Sequence, residues 1–165
     1  MKNKQLLWLI GGVGVVALIA FFAFGNETQT VDSQATSGTP SFQVNTQLVE
    51  LGEIAVDGDY PAEFTISNTG DAPLEISDVR TSCMCTYAEI TIDGEKSPEF
   101  NMVMHNSPAL RSWKETLAPG QTATVKAIYK PYLMPVQGPV DRYVIFNTND
   151  PNNPEVQLGV KAIVQ

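Results

Sequence analysis

From Ser41 onward, apolar and polar residues alternate in short runs separated by turn-forming residues. Phe42 and Val44 make one such pair, Phe64 and Ile66 a second, and Leu74 and Ile76 a third. Val125 and Ala127 leading into Ile128, then Val144 and Phe146, then Val156 and Leu158, continue the pattern. Alternation with period two places one face of an extended strand on a core and the other in water. Between the runs fall Val56-Asp57-Gly58-Asp59, Asn68-Thr69-Gly70-Asp71, Ala118-Pro119-Gly120 and Asn149-Asp150-Pro151-Asn152, all rich in turn-favouring residues. Short strands at this spacing predict an all-β sandwich. No stretch keeps a helical period over about ten residues, no internal repeat is present, and the prolines fall mostly between runs, where a missing N–H does no harm.

The first forty residues read differently. Leu6–Phe24 (LLWLIGGVGVVALIAFFAF) is 19 residues without a charge, preceded by Lys2 and Lys4 and followed by Glu27 as the first charge. About 20 apolar residues span a bilayer, and lysines on one side only put the N-terminus in the cytoplasm. A secretory signal normally has an apolar region of about 7–15 residues. Residues 1–25 are therefore read as an uncleaved signal anchor, a transmembrane helix, with Ala23-Phe24-Gly25 as a weak cleavage site. No cysteine follows the run, so it is not a lipoprotein signal. Residues 26–40 are small and polar, without aromatics, and read as a flexible linker. Residues 41–165 remain as one domain large enough to bury a core. On this reading the protein is a single-pass cell-membrane protein with its domain extracytoplasmic.

Charge narrows the function classes. All 18 acids lie after the apolar run, against 8 of the 10 bases, so the exported part carries a formal charge of −10. Without a basic patch or an interleaved aromatic platform, nucleic-acid binding is excluded, and docking on an anionic lipid surface is disfavoured. There is no Gly-x-Ser-x-Gly elbow, no phosphate-cradling glycine loop or dinucleotide fingerprint, and a single histidine without a nucleophile partner makes no triad. No catalytic residue is assigned, and the chain reads as non-enzymatic.

The chemistry-bearing residues are concentrated. Cys83 and Cys85, the only cysteines, sit in Thr-Ser-Cys-Met-Cys-Thr (81–86). On an extended strand, residues i and i+2 share a face with Cα atoms roughly 6.6 Å apart, at the far edge of disulfide geometry, whose usual separation is about 5.5–6 Å. Two such sulfurs suit one metal held at roughly 2.3 Å each. Downstream lies Phe100-Asn101-Met102-Val103-Met104-His105-Asn106, with the only histidine, and three of the five methionines (Met84, Met102, Met104) are in this neighbourhood. Thiolate and thioether sulfurs favour Cu(I), and imidazole binds copper in either state. The expected metal ligands are Cys83, Cys85, Met104 and His105, with Met102 as a substitute, Tyr87 and Trp113 as covers, and copper as the ion. Zinc competes less well, with Asp93, Glu89 or Glu99 as its fourth ligand. Calcium has too few ligands at Asp57-Gly58-Asp59. Two other readings stand beside the metal. The cysteines are small hydrophobes in a core, or they are a thiol–disulfide pair. The latter needs a cation or helix to lower a cysteine pKa, and Arg80, three residues before Cys83, falls on the other face of a strand.

The order Leu51-Gly52-Glu53-Ile54, Phe64-Thr65-Ile66-Ser67-Asn68-Thr69-Gly70, Leu74-Glu75-Ile76, Ser82-Cys83-Met84-Cys85-Thr86, Leu117-Ala118-Pro119-Gly120-Gln121 and Asn147-Thr148-Asn149-Asp150-Pro151 resembles the bacterial domain-of-unknown-function family DUF1573, over roughly residues 42–164. The resemblance implies an Ig-like antiparallel β-sandwich akin to the ASH and major-sperm-protein group, and an envelope location. It implies no activity. Met84 stands where that family usually has glycine, and an insertion at about 87–116 separates the cysteine motif from the Pro-Gly turn. The Met-His pair after a Cys-Met-Cys motif resembles a membrane-anchored variant of the family. Ig-like sandwiches often serve as interaction modules, so a structural module binding an envelope protein is the main alternative to the metal site. Its exposed candidates are Phe100, Leu110 and Trp113 in the insertion, and Tyr132, Leu133 and Met134 on another loop.

Overall fold

The computed structural model describes residues 38–165. The anchor expected at 1–25 and the linker up to residue 37 lie outside the described residues. Among the described residues, no helix is long and apolar enough to cross a membrane.

The alternating runs become strands: β1 (Phe42–Val44), β2 (Leu48–Ile54), β3 (Tyr60–Asn68), β4 (Leu74–Thr81), β5 (Thr86–Ile92), β6 (Glu95–Lys96), β7 (Lys114–Leu117), β8 (Thr122–Tyr129), β9 (Gly138–Thr148) and β10 (Glu155–Val164). They form two five-stranded sheets, ordered β1-β3-β8-β5-β6 and β2-β10-β9-β4-β7. Every pairing is antiparallel except that of β2 with β10. This is the all-β, two-sheet sandwich anticipated from the pattern, and the parallel β2–β10 pair corrects the wholly antiparallel sandwich that the family resemblance implied. Phe64, Ile66, Leu74, Ile76, Val125, Val144, Phe146 and Leu158 are fully buried between the sheets, each side chain contributing about 1.5–3 kcal/mol by leaving water. All four turns anticipated from sequence connect strands where expected.

The stretch expected as an insertion at about 87–116 contains regular structure. Thr86–Ile92 is a strand, β5, paired with β8 along its length and burying Ala88 and Ile90. It turns back into β6 through Asp93-Gly94, both at positive φ (51° and 86°), the backbone a two-residue hairpin demands. Only residues 97–113 lie outside the strands, crossing from β6 at the edge of the first sheet to β7 at the edge of the second. That crossing is anchored. Phe100 exchanges two backbone hydrogen bonds with Ala88 (2.8 and 2.9 Å), is fully buried, and packs edge-on against Trp113 with centroids 5.1 Å apart. A single helical turn, α1 (Pro108–Arg111), follows, with Ser107 Oγ accepting from the N–H of Leu110. Phe100, expected at an exposed binding loop, is core instead, and Leu110 and Trp113 are half-buried against that core.

Candidate functional site

The Cys-Met-Cys motif lies in the β4–β5 turn, at one end of the sandwich. The N–H of Thr86 donates to the Cys83 carbonyl at 3.0 Å and closes the turn. Distant segments hold the other backbone groups. Asn101 Nδ2 donates to the carbonyls of Met84 (3.1 Å) and Thr86 (3.0 Å), and the N–H of Lys130 donates to the Cys85 carbonyl at 2.8 Å. Ser82 and Tyr143 exchange hydrogen bonds of 3.0 and 2.9 Å. Thr81 Oγ1 lies 3.0 Å from the carbonyls of both Cys83 and Thr86.

This geometry corrects the expectation for the cysteines. They are not on an extended strand. The turn draws their Cα atoms to 5.1 Å, and the two sulfurs are joined in a disulfide. A closed disulfide offers no thiolate, the form in which cysteine ligates metal.

The expected copper ligands are not gathered either. Cys83 Sγ touches Met134 Sδ at 3.8 Å, and Cys85 Sγ accepts from Arg142 Nε at 3.2 Å. The two cysteines belong to a small core with Ile54, Tyr129, Val140, Ala162 and Val164. His105 instead lines a cleft of about 240 Å³ with Met84, Tyr87 and Glu99, and Met104 is 78% exposed. The physical reason is the loop's own polar demand. Asn106 is buried, accepting from the N–H of Asn101 at 2.7 Å and donating to the Val79 carbonyl at 3.1 Å. Its neighbour His105 is thereby left on the outer side. Among the described residues, no group of three or more His, Cys, Asp or Glu is placed to hold a metal ion.

Two residues pack against the disulfide that the sequence did not link to the cysteines. Arg142 lies on β9, with its guanidinium 5.2 Å from the centroid of the Tyr129 ring; its separation of 57 positions from Cys85 gives no local signal. Met134 closes over Cys83 from the β8–β9 loop. Arg80, weighed as a partner of the cysteines, pairs with Asp78 (2.8 Å) and Glu155 (2.5 Å) instead.

The β8–β9 loop is itself unusual. Pro131–Gln137 and the first residues of β9 carry no charge in a chain of net charge −8, and the loop includes Pro131 and Pro135. Tyr132, Leu133, Met134 and Val136 are 38–49% exposed, and Met84 across the disulfide is 41% exposed. The exposure anticipated for Tyr132, Leu133 and Met134 is present.

Comparison with known proteins agrees at the level of fold. The family described as protein of unknown function (DUF1573) matches residues 42–103, from β1 into the 97–113 crossing. No curated protein matches the chain. A protein of unknown function from Porphyromonas gingivalis W83 is similar, with TM-score 0.56 and 18% identity over 81% of this chain and 51% of that one. The present chain thus spans about half the length of that protein. The secreted serine protease VesC from Vibrio cholerae has TM-score 0.46 and 15% identity, over 76% of this chain and 23% of that one. The ASH/PapD-like domain 7 of human CEP192 has TM-score 0.46 and 8% identity, over 75% of this chain and 84% of that one.

Proposed function

We propose that this domain is a non-catalytic protein-interaction module of the cell envelope, held at the outer face of the membrane by residues 6–24. Its docking end is the loop Pro131–Gln137 with Met84, and its partner is another envelope protein with an apolar docking face. The observation that carries this reading is the group of half-exposed apolar side chains Tyr132, Leu133, Met134 and Val136 on an uncharged segment. Depletion of charge with aromatic and methionine enrichment marks the centre of protein interfaces. Two prolines, Pro131 and Pro135, restrict the loop before binding, which lowers the ordering cost of association. A copper site at Cys83, Cys85, Met104 and His105 is less well supported, because it requires both an opened disulfide and a rearranged 101–106 loop.

The test is photo-crosslinking in the producing cells, with a benzophenone amino acid at Leu133 of the full chain and, as control, at Asn152 in the β9–β10 turn. A discrete adduct from Leu133, absent from Asn152 and abolished by Val136→Asp at unchanged melting temperature, is the expected result. An adduct of twice the chain mass would replace the envelope partner by self-association. No adduct, or the same adducts from both positions, would overturn the reading.

A further inference from the structure

The two sulfurs of the disulfide sit in unlike surroundings. Cys85 is fully buried, whereas Cys83 lies at the rim, 8% exposed. Cys83 Sγ accepts from the Cys85 N–H at 3.2 Å, and on its outer side it meets the thioether of Met134 at 3.8 Å, a residue that is itself 49% exposed. An unbranched methionine side chain swings aside at small cost. An incoming thiolate therefore reaches Cys83 and not Cys85.

Attack on one sulfur of a disulfide expels the other as a thiolate, and the rate rises as the leaving thiol's pKa falls. The sulfur expelled here is Cys85, which already accepts from Arg142 Nε at 3.2 Å. The Thr86 hydroxyl lies 4.0 Å away on the same sulfur. A guanidinium keeps its charge at all working pH values, and a cation at this distance stabilises a thiolate and lowers its pKa. Arg142 is itself held, with its Nη1 donating to the Asp141 carbonyl at 2.8 Å and its plane near the Tyr129 ring.

We propose that Cys83–Cys85 is a polarised thiol–disulfide exchange site, attacked at Cys83 and releasing Cys85 as a thiolate beside Arg142, with a dithiol protein as the reductant. In the first step a partner thiolate bonds to Cys83 Sγ, the Cys83–Cys85 bond breaks, and its electron pair leaves on Cys85. In the second step the partner's other thiol loses its proton to water and attacks the partner sulfur of the mixed disulfide. Cys83 is expelled and takes a proton. The partner is oxidised to a disulfide by two electrons, and the domain is reduced by the same two. The docking reading is independent of this chemistry, since Val136→Asp should remove the adduct formed from position 133 and leave reduction by a small thiol unchanged.

The test uses the folded full chain in detergent, with dithiothreitol as reductant and alkylation with mass readout. Arg142→Gln should slow reduction on the order of threefold for each unit by which the Cys85 pKa rises. It should also move the thiolate absorbance midpoint of the reduced chain upward, while Arg142→Lys restores part of both. Met134→Ala should speed reduction. In Cys85→Ser the remaining Cys83 should form a mixed disulfide with an aromatic disulfide reagent far faster than Cys85 does in Cys83→Ser. Melting curves of each variant confirm folding. Reduction seen only on unfolding, equal reactivity of the two single cysteines, or an unchanged midpoint in folded Arg142→Gln would each overturn the proposal.

Discussion

The backbone N–H of Phe42 donates to Asp150 Oδ2 at 2.8 Å across 108 positions of sequence. The same carboxylate accepts from the Asn152 N–H at 2.8 Å and from Asn153 Nδ2 at 2.8 Å. Asp150 thereby ties β1 of the first sheet to the β9–β10 turn of the second.

The consequence is an acid-sensitive tie. Burial opposes charge on Asp150, but the N–H of Phe42, the Asn153 amide and the turn N–H groups outweigh it and hold the pKa below the ordinary carboxylate value. A depressed folded pKa contributes stability that is present above the unfolded value of about 3.9, and that is lost as pH falls through the folded value. Asp150→Asn should destabilise by about 1.5–3 kcal/mol near neutral pH. Urea unfolding should show the gap to the wild type narrowing as pH falls below about 4. An equal gap at both pH values would exclude the charge as the cause.

Gly70 predicts a steric effect. A Cβ there would collide with the Thr39 carbonyl oxygen and meet the Ser41 nitrogen at 2.6 Å, both backbone atoms. The neighbouring Asn68 is fully buried and accepts from the Gly70 N–H at 3.0 Å while donating to the Ala72 and Leu117 carbonyls at 2.8 and 2.9 Å. Gly70→Ala should cost about 1–3 kcal/mol through crowding, read as a lower urea midpoint at unchanged slope. No shift would mean that residues 39–41 move away freely.

Phe100 is the pin of the 97–113 crossing. Phe100→Ala should cost about 3–5 kcal/mol, the usual range for a buried phenylalanine. Limited proteolysis should then cut within 97–113 before the rest of the domain. If the crossing stays resistant, Asn101 and Asn106 hold it by their hydrogen bonds alone.

The strands were legible because burial between two sheets imposes period two on the residues themselves, as in Phe64-Thr65-Ile66 and Val144-Ile145-Phe146. The turns were legible because Asn-Thr-Gly-Asp and Asn-Asp-Pro-Asn make their own local hydrogen bonds, such as the Asn152 N–H to Asp150 Oδ1. β5 was obscured by the expectation that residues after the cysteine motif were inserted. Its alternation of Ala88, Ile90 and Ile92 was present in the sequence.

The cysteines were legible as the place where chemistry sits, but not as what they do. Assigning them to an extended strand kept their Cα atoms too far apart, and only the turn closes that distance to 5.1 Å. That turn is held by Asn101, Lys130 and Tyr143, from three separate segments.

By itself, the sequence determined the sandwich, its turns, its acidic surface and the uncharged loop after β8, because each depends on the identity of neighbouring residues. Tertiary structure alone decided that Cys83 and Cys85 are bonded, that His105 lines a cleft with Met84, Tyr87 and Glu99, and that Arg142 and Met134 stand on opposite sulfurs. Those relationships join positions tens of residues apart, and no local preference encodes which side chains the two sheets bring into contact.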